Sequence, residues 1–280
     1  MTSINKGDLW YQMVHAVELV RKTNPVVGSI TNTVTVNFVA NAQLAIGGSA
    51  AMVYLPDEGE FLAKNARAMY INAGTFLPIY EQTLPRTVKA LNEHNRPWVL
   101  DPVGIGIGAL RTEVLRFIKE NKPSVIRGNA SEIIALAGLW GLDGGDDEKS
   151  VRGVDATDPV ASARDAAVSL AKWTEGAVVV SGETDLVTDG SVEVYSFGGS
   201  KMMKNITGAG CSLGGVVAVF SSVASPFIAA LTGTQLYNLA ASRAERRANG
   251  PGSFQTHFLD EIYRSSAEEI ANNPFEIKGV

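Results

Sequence analysis

The run Asn205-Ile206-Thr207-Gly208-Ala209-Gly210-Cys211, followed by Ser212 and a long apolar stretch, has the make-up of an anion-handling turn at the start of a helix. Small residues at 208–210 let backbone N–H groups come close to a ligand. The first turn of a helix leaves N–H groups unpaired and carries the positive end of the dipole, so both features favour negative charge. Thr207 and Ser212 have helix-start side chains. Cys211 then stands where a phosphoryl group would be handled. Its thiol could accept a proton, position a substrate, or simply fill space as a small apolar side chain. No histidine is placed by the sequence to activate it as a nucleophile. A part in phosphoryl transfer, which depends on positioning and electrostatics, suits it better.

Other polar residues follow short apolar runs in the same manner. Asp101 comes after 98–100, Arg127 after 124–126, Ser181 after 178–180, and Asn72-Ala73-Gly74-Thr75 after 69–71. Asp101 and Glu132 have the oxygen chemistry of a magnesium site, which needs only one or two carboxylates beside phosphate oxygens. Asp101 could equally be a turn residue held by Pro102, and Glu132 a first-turn acid facing its helix dipole. Arg127 could grip phosphate through its planar fork or carry a surface charge. Asn129 and Glu132 have capping-box spacing. Asn32, in the polar cluster 29–33, reads as a helix cap or a ligand contact, and Met52 as core or ligand contact.

These residues need a scaffold that brings them to one place. Strands are predicted at 51–54, 68–71, 98–100, 124–126, 177–180, 186–188 and 192–195, with helices at 34–46, 79–94, 112–120, 131–137 and 159–174. Such alternation predicts an α/β fold with a mainly parallel sheet covered on both faces. Asp189-Gly190 between two strand-like runs signals an antiparallel hairpin at the sheet edge. From 208 to 272 the pattern is nearly all helix, and 141–155 reads as a solvated loop. In an α/β sheet ligands sit outside the carboxyl ends of the strands, so five polar junctions along one edge predict a composite site.

Composition removes several classes. The chain has 280 residues, 45% of them hydrophobic, and a net charge of −5, which gives no reason to expect nucleic-acid or membrane-surface binding. One cysteine excludes an internal disulfide and any multi-cysteine metal site within the chain. His15, His94 and His257 are scattered and receive no role. The first twenty residues lack the apolar core of a signal peptide, and 212–237 is too interrupted for a membrane span and reads as two buried helices. A cytoplasmic protein of one domain, residues 1–280, is expected.

The ordered set SITNTVTVNFVAN at 29–41, LDPVG at 100–104, RGNASE at 127–132, SGE at 181–183, TGAGC at 207–211 and GPGSF at 250–254 resembles the hydroxyethylthiazole kinase family of the ribokinase-like superfamily. Sugar-kinase relatives typically carry Asp where Cys211 stands. The resemblance implies a three-layer α/β/α fold and phosphorylation of 4-methyl-5-(2-hydroxyethyl)thiazole by MgATP in thiamine biosynthesis or salvage. It implies that Asn32, Met52, Gly74 and Gly208 line the thiazole pocket and that Arg127 and Ser181 contact ATP. Asp101 and Glu132 would serve magnesium, and the amides of Gly208, Ala209, Gly210 and Cys211 would stabilise the transferring phosphoryl. It further implies a homotrimer with sites between subunits, so that Asn32 and Met52 serve a neighbour's site. Two positions depart from the family pattern: its Asn-Asn pair reads Asn32-Thr33 here, and its Thr-Gly-Glu reads Ser181-Gly182-Glu183. Another ribokinase-like small-molecule kinase, or a binding protein without turnover, are the competing readings.

Overall fold

Two-residue alternation of buried side chains explains the centre of the molecule. The computed structural model describes residues 5–146 and 160–279. Among them the strands are β1 (Val26–Ile30), β2 (Ser49–Met52), β3 (Ala68–Asn72), β4 (Trp98–Asp101), β5 (Val125–Asn129), β6 (Ala177–Ser181), β7 (Asp185–Thr188), β8 (Val192–Ser196) and β9 (Phe275–Gly279). They form one sheet in the order β2-β1-β3-β4-β5-β6-β7-β8-β9. From β2 to β6 neighbours are parallel, and from β6 to β9 antiparallel. The expected hairpin is present: Asp189 Oδ1 accepts from the Ser191 and Val192 amides, and Gly190 takes a φ of 87°. Strand β9 extends that antiparallel edge beyond the hairpin.

Each face of the sheet carries its own core. Tyr70, Val99, Val125 and Val179 point into one, with α1 (Lys6–Thr23), α2 (Val36–Ile46), α8 (Ala209–Ser221), α9 (Pro226–Glu245), α10 (Pro251–Arg264) and α11 (Ala267–Ala271). Met69, Ile71, Leu100, Ile126 and Val178 point into the other. That face is covered by α3 (Pro56–Asn65), α4 (Tyr80–Glu93), α5 (Ala109–Ile118), α6 (Ala130–Leu139) and α7 (Arg164–Thr174). Burial on both sides is what parallel strands require, since crossover helices cover both faces.

Four elements lie beyond the sequence expectations: α1, β1, α3 and β9. The loop expected at 141–155 falls partly outside the described residues, and its described part, 141–146, is irregular and largely exposed. The start of the helix expected at 159–174 lies outside them too. No described helix is long and apolar enough to cross a membrane. The 212–237 stretch is indeed α8 and α9.

Parity along the strands assembles the site. In β3, β4, β5 and β6 the residues Tyr70, Asn72, Asp101, Arg127 and Ser181 share the α8 side with Val99, Val125 and Val179. Register brings Asn72 opposite Asp101 and Asn129 opposite Ser181 at the carboxyl edge. Chain order reverses at β1, which lies between β2 and β3, and such a switch point opens a crevice for ligands. Helix α8 comes close to this edge because it carries glycine there: a Cβ on Gly214 would lie 2.4 Å from the Tyr70 ring. Gly214→Ala is expected to destabilise the fold by about 1–3 kcal/mol through overpacking, read as a lowered urea midpoint with an unchanged slope.

Candidate active site

A continuous hydrogen-bonded chain runs along the carboxyl edge. Asn32, just past β1, donates through Nδ2 to Asn72 Oδ1 at 3.2 Å and lies 3.5 Å from Cys211 Sγ. Asn72 donates in turn to the Tyr70 hydroxyl at 2.8 Å, and Tyr70 donates to Asp101 Oδ2 at 3.0 Å. Arg127 donates to the same Oδ2 through Nη1 at 3.3 Å and to Ser181 Oγ through Nε at 3.2 Å. Asn72 Oδ1 also accepts from the Gly74 amide at 2.8 Å. Thus Gly74, Asp101, Arg127, Ser181 and Cys211, picked out in sequence from five separate junctions, meet in one cluster with Asn32 from the polar run 29–33. Asn32 reaches Cys211 of its own chain, so the structure brings it into that chain's own cluster.

Helix α8 begins over this edge. Its first residue is preceded by Gly208 with a φ of 93°, and no side chain caps its amides. Thr207 and Ser212 therefore do not act as the caps the sequence suggested; the Ser212 hydroxyl donates back to the Ala209 carbonyl at 3.0 Å. An uncapped N-terminus keeps the amides of Ala209, Gly210 and Cys211 available to an anion. Gly210 has a second reason to be glycine: a Cβ there would stand 2.8 Å from both terminal nitrogens of Arg127. A cavity of about 330 Å³ opens next to Thr207, lined among others by Asn37, Phe38, Asn205, Pro251 and Gln255.

Charge is concentrated and dry. Asp101 is fully buried, and Arg127 is 8% exposed. Burial pushes the Asp101 carboxyl up, while the Arg127 guanidinium and the Tyr70 hydroxyl oppose the rise. Burial works against the Arg127 charge, but Asp101 and Glu132 outweigh it and raise its pKa. One carboxylate oxygen, Asp101 Oδ1, is buried with no hydrogen-bond partner. Glu132 caps its own helix: its amide donates to Asn129 Oδ1 and its Oε2 accepts from the Asn129 amide, both at 2.9 Å. Burial and then the nearby Asp101 push the Glu132 carboxyl up to about 7. Burial, with Asp101 adding to it, raises the Cys211 thiol as well. The helix start therefore does not yield a thiolate in the free protein, and the sulfur is held as S–H.

Met52 stands apart from this cluster. It lines a cavity of about 420 Å³ with Val53, Asp57, Glu58, Phe61 and Leu62. Conversely, Tyr70 and the side chain of Asn72 are central to the cluster and were not singled out by sequence. The available signal was their spacing of two in a strand that ends at a polar junction.

The raised Glu132 carboxyl has a consequence for stability. Its folded value of about 7 lies above the ordinary 4.5, so protonation favours the folded state. That contribution is whole below about pH 4.5 and is lost as pH rises through about 7. Glu132→Gln keeps the capping geometry and removes the titration. Relative to the parent, it is expected to gain up to about 3 kcal/mol between about pH 5 and pH 8, measured by urea unfolding at both.

Comparison with known proteins bears on the same residues. The model of the "Hydroxyethylthiazole kinase family" matches residues 17–268. A hydroxyethylthiazole kinase of Bifidobacterium longum subsp. infantis is 49% identical over 276 residues, covering 92% of this chain and 88% of the relative. One from Cereibacter sphaeroides is 40% identical over 254 residues, covering 91% and 94%. The solved structure of a hydroxyethylthiazole kinase protein from Pyrococcus horikoshii superposes with a TM-score of 0.82 at 30% identity, over 96% of this chain and 98% of that one. A ribokinase-like superfamily protein from Enterococcus faecalis, 13% identical with a TM-score of 0.60, shares the fold. With the match running from α1 to α11 and taking in every junction of the cluster, the chain belongs to the hydroxyethylthiazole kinase family.

Proposed function

We propose that the chain carries out the reaction for which its family is named. It transfers the γ-phosphoryl group of ATP to the primary hydroxyl of 4-methyl-5-(2-hydroxyethyl)thiazole (EC 2.7.1.50), a step of thiamine biosynthesis and salvage. The observation that carries this reading is the meeting of an uncapped helix start with a buried Asp101–Arg127 pair at the carboxyl edge of the sheet. Phosphoryl transfer asks for donors arranged around developing negative charge and for little covalent chemistry from the protein.

In this reading the amides at 209–211 face the transferring phosphoryl, and Arg127 and Ser181 hold the nucleotide phosphates. Asn32, Gly74 and Gly208 shape the thiazole pocket. The protonated Cys211 thiol orients the acceptor hydroxyl. As the acceptor oxygen bonds to the γ-phosphorus, the bond to the bridging oxygen breaks and ADP departs with that electron pair. The hydroxyl proton need not leave early in so loose a transition state; it passes to an oxygen of the transferred phosphoryl group as the new bond forms, and from there to solvent. Asp101 and Glu132 fit a magnesium ion, because Oδ1 of Asp101 is a buried oxygen awaiting a partner and a hard cation prefers oxygen. Bound there, the ion would neutralise charge on the phosphate chain.

Residues 1–280 are read as one kinase domain, on the strength of the single sheet. Exposed Leu55 and Phe61, in the segment that follows the edge strand β2, support self-association, which we read as the homotrimer in which Met52 would serve a neighbouring site. A cytoplasmic location suits a chain whose cysteine is a free thiol.

Coupled ADP release by the purified protein with magnesium should depend on hydroxyethylthiazole. If the thiazole binds by calorimetry without stimulating ADP release, the chain is a binder and the proposal fails. Asp101→Asn should lower kcat by roughly 10²-fold or more. Cys211→Ala should lower kcat by about tenfold while ATP-analogue affinity stays within about twofold; an unchanged kcat would remove the thiol from the chemistry.

A further inference from the structure

A second buried carboxylate lies on the nucleotide side of the site, and the mechanism above does not use it. Asp185, at the start of β7, is 8% exposed, and the nearby Arg127 charge acts on it without a direct ion-pair contact among the described residues. Burial raises its carboxyl, and the Gly182 and Asn238 hydrogen bonds and the Arg127 charge oppose the rise. Its two oxygens have separate duties. Oδ1 accepts from the Gly182 amide at 2.8 Å, the residue next to Ser181. Oδ2 accepts from Asn238 Nδ2 of α9 at 2.9 Å.

Asn238 also reaches a second segment. Its carbonyl accepts from the Gly199 amide at 3.0 Å, and Ser242, one turn on, donates to the Gly199 carbonyl at 2.9 Å. Gly198 and Gly199 adopt φ of 119° and 81°, and a Cβ on Gly198 would stand 3.2 Å from the Asn238 carbonyl oxygen. This turn opens the connection that ends in Thr207, Gly208 and the start of α8. Asp185 and Asn238 therefore tie the Ser181 end of β6 to the approach of the phosphate-facing turn, through a common anchor on α9. The anchor demands an acceptor on both oxygens, because the groups facing it, Gly182 N–H and the Asn238 amide, are both donors. An amide at 185 would set donor against donor.

We propose that Asp185, acting through Gly182 and Asn238, is a positioning residue for the nucleotide: it fixes where Ser181 meets Arg127 relative to the first turn of α8. This rests on the reading of Ser181 and Arg127 as ATP contacts. Wild-type binding of a non-hydrolysable ATP analogue, and its weakening in Ser181→Ala, test that reading separately.

The experiment is calorimetric titration of the analogue, with steady-state KM for each substrate, on Asp185→Asn and on the exchanged pair Asp185→Asn with Asn238→Asp. The single variant should weaken analogue binding and raise ATP KM by about tenfold, while thiazole KM stays within about twofold. The exchanged pair restores a donor facing an acceptor. Ser196, which accepts from Asn238 Nδ2 at 2.8 Å and donates to Gln235, can turn its hydroxyl to the new carboxylate, because Gln235 Oε1 also accepts from Asn273. ATP KM should therefore return to within about threefold of the parent. Unchanged ATP affinity in Asp185→Asn, equal losses for both substrates, or no recovery in the exchanged pair would each overturn the proposal. Should Asp185→Asn not fold, Asn238→Ala leaves the Gly182 contact in place and must by itself raise ATP KM selectively. A folded Asn238→Ala with normal ATP KM would overturn the proposal equally.

Discussion

A carboxylate and a guanidinium taken out of water together, Asp101 and Arg127, impose the conditions that the rest of the site meets. Each ion buried alone would cost several kcal/mol, and their attraction offsets this only where the remaining hydrogen-bonding capacity is filled. The surroundings supply much of that capacity: Tyr70 donates to the oxygen that Arg127 shares, Ser181 receives the Nε proton, and Asn72 orients the Tyr70 hydroxyl. The backbone makes room as well, since a side chain at Gly210 would collide with the guanidinium and one at Gly214 with the Tyr70 ring. Small residues at the start of α8 thus serve two purposes at once: open amides toward an anion and space for the cation beneath them.

One oxygen is left over. Oδ1 of Asp101 is buried without a hydrogen-bond partner, near a glutamate whose carboxyl burial pushes up to about 7. Two carboxyls, a guanidinium and an uncapped helix start make a centre whose charge is incompletely balanced in the free protein. A phosphate chain with a divalent cation would complete it. On the proposed reading, nucleotide and cation are therefore expected to favour one another's binding through electrostatics at this edge.

Much of this was legible in sequence because it follows from local rules. The apolar runs before Asp101, Arg127 and Ser181 announce parallel strands; Asp101 and Ser181 are the last residues of β4 and β6, whereas β5 continues past Arg127 to Asn129. Asn129 with Glu132 announces a capping box, which is present. What escaped depends on tertiary context. Strand β1 is short and contains Gly28 and Ser29, so its propensity is weak and only pairing on both sides makes it a strand. Strand β9 follows a helical region and is half exposed at an edge, where alternation is faint. Helix α3 has Gly59 in its interior, which lowers its local preference. Tyr70 reads from sequence as an ordinary core aromatic, and only the neighbouring strands reveal that its hydroxyl faces Asp101. The capping roles given to Thr207 and Ser212 followed residue preference, but the start of α8 leaves its amides uncapped.

The central claim is spatial: the start of α8 and the Asp101–Arg127 pair form one phosphoryl-transfer centre. A crystal structure with magnesium, a non-hydrolysable ATP analogue and hydroxyethylthiazole tests it most directly. The account predicts the γ-phosphoryl within hydrogen-bond reach of the amides at 209–211, Arg127 on the phosphate chain, and the thiazole hydroxyl between Cys211 and Asp101. A nucleotide whose phosphates lie away from α8, with Asp101 and Arg127 facing none of them, would contradict it.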